Sequence, residues 1–263
     1  MKRRNAFGTD LWKTVIVVSV LTLLFLAHAV YSQGEADKAK QILGKSVEAI
    51  GGEKNARGWN SRVAKGIMTA YYPGWGKLKA NVSQFVKKPD KCKIDNDFSA
   101  YDHPFFYTYY YNCGQAWMVV NLMVRQSPRV TENLENFMET IDGVAYYYTE
   151  CDSFFLMEEV PDDSLLAASE FERVGCIHEG DTVLFDLSRK DHTPLRMIED
   201  GGAEITLFSD YRKVKGLTLP FHLKVYRNGA LHGDHIWDEI KLDAKIDETI
   251  FEEDRPPIPD EES

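Results

Sequence analysis

The period of the apolar positions changes near residue 52. Over Glu35 to Ile50, Ala39, Ile42, Leu43, Ser46, Val47 and Ile50 recur at three- and four-residue intervals with charged residues between them, which predicts an amphipathic helix. Gly51-Gly52 supplies the residue type that a left-handed C-cap needs. Beyond it, alternation by two takes over. Val63 to Tyr72 reads as a strand, and Leu78, Ala80, Val82, Gln84 and Val86 alternate with a second set in another, the two joined by turn residues Tyr71 to Gly76. Lys91 to Asp97 makes a third strand. After an aromatic loop, Ala116, Met118, Val120, Leu122 and Val124 predict a fourth, with Trp117 on its other face.

A helix then interrupts the strands, with Ser127 as N-cap, Pro128 at the first position and Val130, Leu134, Phe137, Met138 and Ile141 on one stripe. Asp142-Gly143 closes it. A shorter helix or turn is expected over Asp163 to Phe171. From there strands continue: Val183, Phe185 and Leu187 alternate, and Pro194 to Glu199, Glu204 to Val214, Thr218 to Arg227 and His235 to Ala244 follow, separated by glycine-containing turns. Leu217, Leu219, Phe221, Leu223 and Val225 stand at a strict spacing of two, opposite Thr218, His222 and Lys224. No helix of useful length lies between these strands to make a parallel crossover, so the fold class is mainly β with α, built on one large curved antiparallel sheet.

The first thirty residues follow another rule. Lys2, Arg3, Arg4 and Lys13 precede an uncharged run from Val15 to Leu26, and Ala27-His28-Ala29 offers small residues where a signal peptidase reads. About a dozen apolar or small residues, or about sixteen with Ala27 to Val30, is short of the roughly 20 that a spanning helix wants. Residues 1–29 therefore read as a signal peptide, with an uncleaved inner-membrane anchor over 14–31 as the alternative. No cysteine follows the run, which closes the bacterial lipoprotein route.

Composition sharpens this picture. With 44% hydrophobic and 27% charged residues the chain carries enough apolar sequence for a genuine core. Its 31 Lys and Arg stand against 41 Asp and Glu, a formal charge of −10, and the loss of residues 1–29 would make the exported part more acidic still. Phosphate backbones repel such a surface, so nucleic acid is excluded as a partner. The four cysteines, Cys92, Cys113, Cys151 and Cys176, form no Cys-x-x-Cys pair. In an oxidising compartment an even number suggests disulfides, and Cys92 with Cys113 and Cys151 with Cys176 are the favoured pairs because each couple sits on successive strand-like segments; four buried free thiols remain the other reading.

Several strings in order resemble the outer-membrane lipoprotein-sorting family, the LolA/LolB-like lipoprotein carriers and their bacterial relatives. They are Glu48-Ala49-Ile50-Gly51-Gly52, Trp59-Asn60-Ser61, Lys65-Gly66, Gly114-Gln115-Ala116-Trp117, Leu184-Phe185-Asp186 and Thr193-Pro194-Leu195, and, most specific, Asp210 to Pro220, then Ile246-Asp247 and Phe251. The similarity covers about residues 36–257. It implies an unclosed half-barrel wrapped around lid helices, with an apolar cavity for acyl chains and no catalysis. With the leader over residues 1–29 and the end rich in Pro, Asp and Glu, this divides the chain into residues 1–29, a lipid-binding β-domain over 30–255 and a mobile acidic tail over 256–263. The sequence departs from the carriers in its four cysteines, in the aromatic stretch Tyr101 to Tyr111 and in having no lipobox, and no residue is matched to the carriers' gating arginine.

Trp117, Met118, Phe137, Met138, Phe185, Phe208 and Phe221 are the expected cavity residues, with Trp59 and Trp75 near an opening. The ligand expected is a lipid or the acyl chains of a lipoprotein, in the periplasm and without a cofactor. The alternative is a periplasmic sensor or interaction module of the same fold that docks an envelope membrane protein. The stretch Tyr101, Phe105, Phe106, Tyr107, Tyr109, Tyr110 and Tyr111 is either a cavity mouth or partner-binding edge, or a strand with one face packed and the other partly exposed. His232-Gly233-Asp234-His235 with Asp238 is the densest metal-ligand cluster, but His232 and His235 point to opposite faces of a strand, so a surface hairpin is preferred. His178, His192 and His222 are expected on solvated faces. Glu158-Glu159 and Asp162-Asp163 read as solvated turns, there is no Gly-x-Ser-x-Gly elbow, and Asn81-Val82-Ser83 is discounted as a glycosylation site.

Overall fold

The computed structural model describes residues 33–72, 76–100, 105–157 and 165–255. The expectations for Trp75, for residues 1–29, for Glu158-Glu159 and Asp162-Asp163, and for the tail from 256 lie outside these residues.

The chain enters as α1 (residues 33–49), whose Ala39, Leu43, Ser46 and Val47 are buried on one stripe. The helix ends as its glycines dictate: Gly52 donates to Val47 O at 2.9 Å and Gly51 to Glu48 O at 3.0 Å, with Gly51 at φ +120°. Gly51 also lies against the turn before Leu217, where a Cβ would meet Gly216 O at 2.4 Å, and Thr218 donates to Ile50 O at 2.8 Å. Two of the strings that carried the resemblance thus meet in space.

After the short α2 (Glu53–Gly58), β1 (Ser61–Tyr72), β2 (Gly76–Lys87), β3 (Lys91–Asp97), β4 (Phe106–Asn112), β5 (Gln115–Val120) and β6 (Met123–Arg125) step outward as neighbouring antiparallel strands. The expected fourth strand breaks in two because Asn121 and Leu122 both take positive φ, turning the chain into a hairpin. The aromatic stretch is strand β4 from Phe106 on, not a loop.

Next, α3 (Pro128–Thr140) and α4 (Val144–Glu150) carry the chain to the opposite edge. Ser127 Oγ accepts from Val130 N at 3.2 Å and Pro128 opens α3, as the sequence predicts. β7 (Ser153–Met157) starts the return, followed by β8 (Phe171–His178), β9 (Asp181–Ser188), β10 (Pro194–Glu199), β11 (Glu204–Val214), β12 (Leu217–Arg227) and β13 (Ala230–Leu242). Of the helix or turn expected over Asp163 to Phe171, the described part, from residue 165, holds a single 3₁₀ turn, Ala168–Glu170.

Among the described residues the thirteen strands form one antiparallel sheet, in the order β6-β5-β4-β3-β2-β1-β13-β12-β11-β10-β9-β8-β7. β1 pairs with β13, so the two meanders join at the middle and the edges β6 and β7 stay unpaired with each other. The register shifts at Lys65/Gly66, Pro194/Arg196 and Val225/Tyr226 are bulges, which bend strands and curl the sheet. Its concave face packs on α1, α3 and α4 through Leu43, Val47, Leu134, Met138, Val144, Tyr147, Val86, Phe185 and Leu242. A second apolar cluster, with Met68, Val82, Phe98, Phe221, Trp237 and Ile240, occupies the rest of that face.

The disulfides expected of Cys92 with Cys113 and of Cys151 with Cys176 are not present: all four cysteines are free. Cys92 is buried, whereas Cys113 is exposed at the β4–β5 turn, at φ +50°. Cys151 and Cys176 are neighbours that share a thiol hydrogen bond, which with burial raises the Cys176 thiol well above its ordinary range. Among the described residues no helix is long and apolar enough to cross a membrane.

Candidate functional site

The uncovered part of the concave face encloses a cavity of about 530 Å³, within the range of sites that hold one small ligand. The sheet supplies most of its wall: Met68, Val82, Ile94, Phe185, Met197, Phe208, Leu219, Leu223, Val225, Trp237 and Ile240. The joint between α3 and α4 covers it with Phe137, Thr140, Ile141, Asp142, Gly143 and Val144. Alternation explains the strand contributions, since residues two apart share a face; Tyr107 and Tyr109 of β4 line the cavity, while Tyr110, the next residue along the strand, faces out.

A few polar groups break this apolar wall. Arg62 of β1 lines the cavity and its Nε has no hydrogen-bond partner; burial lowers its guanidinium to about 10, so it stays charged at neutral pH. The Trp237 ring lies 5.9 Å from that guanidinium. Gln84, opposite Ala64 and so diagonal to Arg62 on the same face, is buried with Oε1 unpartnered. Asn96 on β3 is buried and donates weakly to Ile94 O and Tyr107 O, at 3.4 and 3.5 Å. On the far wall, Tyr211 donates its hydroxyl to Pro194 O, and burial raises its phenol. His235 on β13 also faces the cavity, and burial lowers its imidazole, with Asp234 opposing and His232 reinforcing the shift. At the helical side, Asp142 accepts from Lys88 Nζ at 2.6 and 2.8 Å, and the same ammonium lies 4.0 Å above the Trp59 ring.

Of the residues expected in the cavity, Phe137, Phe185 and Phe208 line it. Met138, one residue along α3, is buried beneath the helix, and Met118, opposite Tyr109 in the ladder, shares the inward face without reaching the cavity wall. Phe221 is buried in the second cluster under the Arg212 guanidinium at 4.4 Å. Trp59 is buried in the first cluster under Lys88, away from the wall. Trp117 stands on the outer face, stacked on Tyr110 with ring centroids 5.0 Å apart, and its Nε1 donates to Glu253 O at 3.3 Å. Lys91 to Glu248 at 2.9 Å and Lys93 to Glu253 at 2.6 Å hold the C-terminal segment over this outer face.

The histidine expectations change as well. Residues 232–235 lie in the β13 arm of the β12–β13 hairpin, with His235 turned to the cavity rather than to solvent. His222 is half-buried and bonded to Asp234 at 2.7 Å, and His178 is half-buried at 3.1 Å from the Tyr146 hydroxyl. Among the described residues no three His, Cys, Asp or Glu side chains are grouped to hold a metal.

Arg62, Asn96 and His235 escaped the sequence reading of the site. The signal available was parity: Gln84 stood among the inward apolar residues of β2, and Arg62 is two residues before the inward Ala64, so both are polar at positions where alternation demands apolar side chains.

The architecture is that of a LolA-like unclosed half-barrel. A DUF1329 family protein from Desulfovibrio piger superposes with a TM-score of 0.54 at 13% identity, over 83% of this chain and 98% of that one. A domain assigned to the outer membrane lipoprotein-sorting proteins from Vibrio parahaemolyticus gives 0.51 at 11% identity, over 80% and 97%, and a LolA superfamily protein from Nitrosomonas europaea 0.50 at 14%, over 81% and 96%. Identities this low speak to the fold alone. No family model and no curated protein sequence matches the chain.

Proposed function

We propose that the protein is an exported, non-catalytic carrier or binding protein for a lipid or a lipidated partner in the periplasm, its acyl chains lodged between the sheet and the α3–α4 joint. The observation that carries this reading is the 530 Å³ cavity with its predominantly apolar wall, left where helices cover only part of a curved sheet. Each methylene moved from water into such a wall contributes about 0.8 kcal/mol, so one partly buried chain suffices for firm binding. Phe137, Phe185 and Phe208 are the proposed chain contacts. That one structural neighbour is named as a lipoprotein-sorting protein domain and another as a LolA superfamily protein supports the same reading.

Native mass spectrometry with organic extraction tests it, on residues 30–263 exported into a periplasm and purified without detergent. Co-purifying phospholipid or acylated peptide supports the carrier. An empty protein that also refuses a fluorescent fatty acid overturns it. Where the parent chain retains lipid, Phe137→Asp should abolish that retention.

One observation favours the second reading, a module that docks a membrane protein. The β5–β6 hairpin at the sheet edge exposes Leu122 (93%) and Met123 (55%), beside Phe106 (50%). Loss of a co-purifying partner on Leu122→Asp with Met123→Asp would support it.

A further inference from the structure

We propose that the ligand of this cavity is an anionic amphiphile whose head, a carboxylate or a phosphate, sits on Arg62 while its chain lies against Phe137, Ile141, Phe208 and Leu223. The inference rests on the carrier reading and names the ligand class for it.

Arg62 brings a full positive charge into an apolar cavity, yet its Nε–H has no acceptor and it forms no ion pair among the described residues. A carboxylate also lining the cavity, Asp142, is already held by Lys88. The other cavity base, His235, is pushed by burial toward its neutral form, which makes it the weaker partner for an anion. Removing a guanidinium from water without a counter-ion is unfavourable, and an apolar residue at this inward position would pack at less cost. An incoming anion removes the penalty. The planar guanidinium fork matches carboxylate and phosphate oxygens, and Gln84, diagonal to it with an unpartnered amide oxygen, can turn its NH₂ toward the same anion. The Trp237 ring, 5.9 Å from the same guanidinium, adds an apolar side to this position.

The test compares palmitic acid, hexadecanol and 1-palmitoyl lysophosphatidate as competitors of a neutral fluorescent dye on the exported chain. Palmitate, lysophosphatidate or both should bind about tenfold or more tightly than hexadecanol, the scale of a charge-assisted hydrogen bond. Which of the two is preferred identifies the head group. In Arg62→Gln the preference should vanish while hexadecanol affinity holds, and Arg62→Lys should keep part of it. Equal binding of acid, phosphate and alcohol by the unaltered chain, or a preference that survives Arg62→Gln, overturns the inference and leaves the carrier reading standing. If none of the three displaces the dye, hexadecanol included, the carrier reading falls and this inference with it. The comparison within the unaltered chain decides even if a variant fails to fold.

Discussion

Lys88, in the turn between β2 and β3, donates to both carboxylate oxygens of Asp142 at 2.6 and 2.8 Å, tying the sheet to the joint between the helices that cover the cavity. The same ammonium lies over Trp59 and donates to Arg57 O at 3.3 Å, so one side chain binds three elements. Lys88→Met keeps the stem over the indole and leaves Asp142 without its cation. Because the pair is neither fully exposed nor fully buried, the expected loss is about 1–3 kcal/mol in urea denaturation. A bound dye should also escape faster in stopped-flow. An unchanged escape rate would show that the α3–α4 joint does not gate the cavity.

On the outer face, Asp186 is fully buried between Arg173 at 2.6 Å and Arg196 at 2.5 Å. Asp186→Asn strands two buried guanidinium groups and should cost about 3–5 kcal/mol. Lipid affinity of the folded fraction should not change, because this cluster faces away from the cavity. A variant as stable as the parent in chemical denaturation would contradict the assignment.

Gly66 occupies the bulge where β1 meets β13. A Cβ there would meet Ile236 O at 2.1 Å and the Trp237 Cα at 2.8 Å, both unyielding backbone atoms. Since this seam joins the two meanders, Gly66→Ala should destabilise by about 3 kcal/mol or more. Hydrogen exchange should speed up along β1 and β13 more than along β4 and β5; uniform exchange would argue against a local seam effect.

His235 carries an imidazole whose pKa burial depresses below the ordinary 6.5. The unfolded chain therefore binds a proton before the folded one does. This residue's contribution to stability is complete above about pH 6.5 and is lost as the pH falls below that value and through the lower folded pKa. His235→Phe should flatten the decline in thermal midpoint between pH 7 and pH 5. Should the variant's pH profile track the parent's, other groups govern the acid limb.

The local signals were legible where they are strong. Gly51-Gly52 ends α1, Ser127-Pro128 starts α3, and alternation marks β2, β9 and β12, because caps and periodicity act over a few residues. The tyrosine run of α4 shows no such periodicity; its helix stands on tertiary contacts, with Tyr148 against Gly44 of α1 and the Tyr147 hydroxyl donating to Glu199 at 2.9 Å. Alternation separated Trp117 from Met118 but could not say which face is concave. That depends on bulges and on which side the helices cover, both of which are set by distant pairings such as β1 with β13. The sequence by itself thus determined an antiparallel, one-faced sheet with two amphipathic helices, since each follows from spacing along the chain. Only the tertiary structure decided that Trp117 lies outside, that the cysteines stand unbridged and that Arg62 faces the cavity, because curvature and long-range register bring those residues to their neighbours.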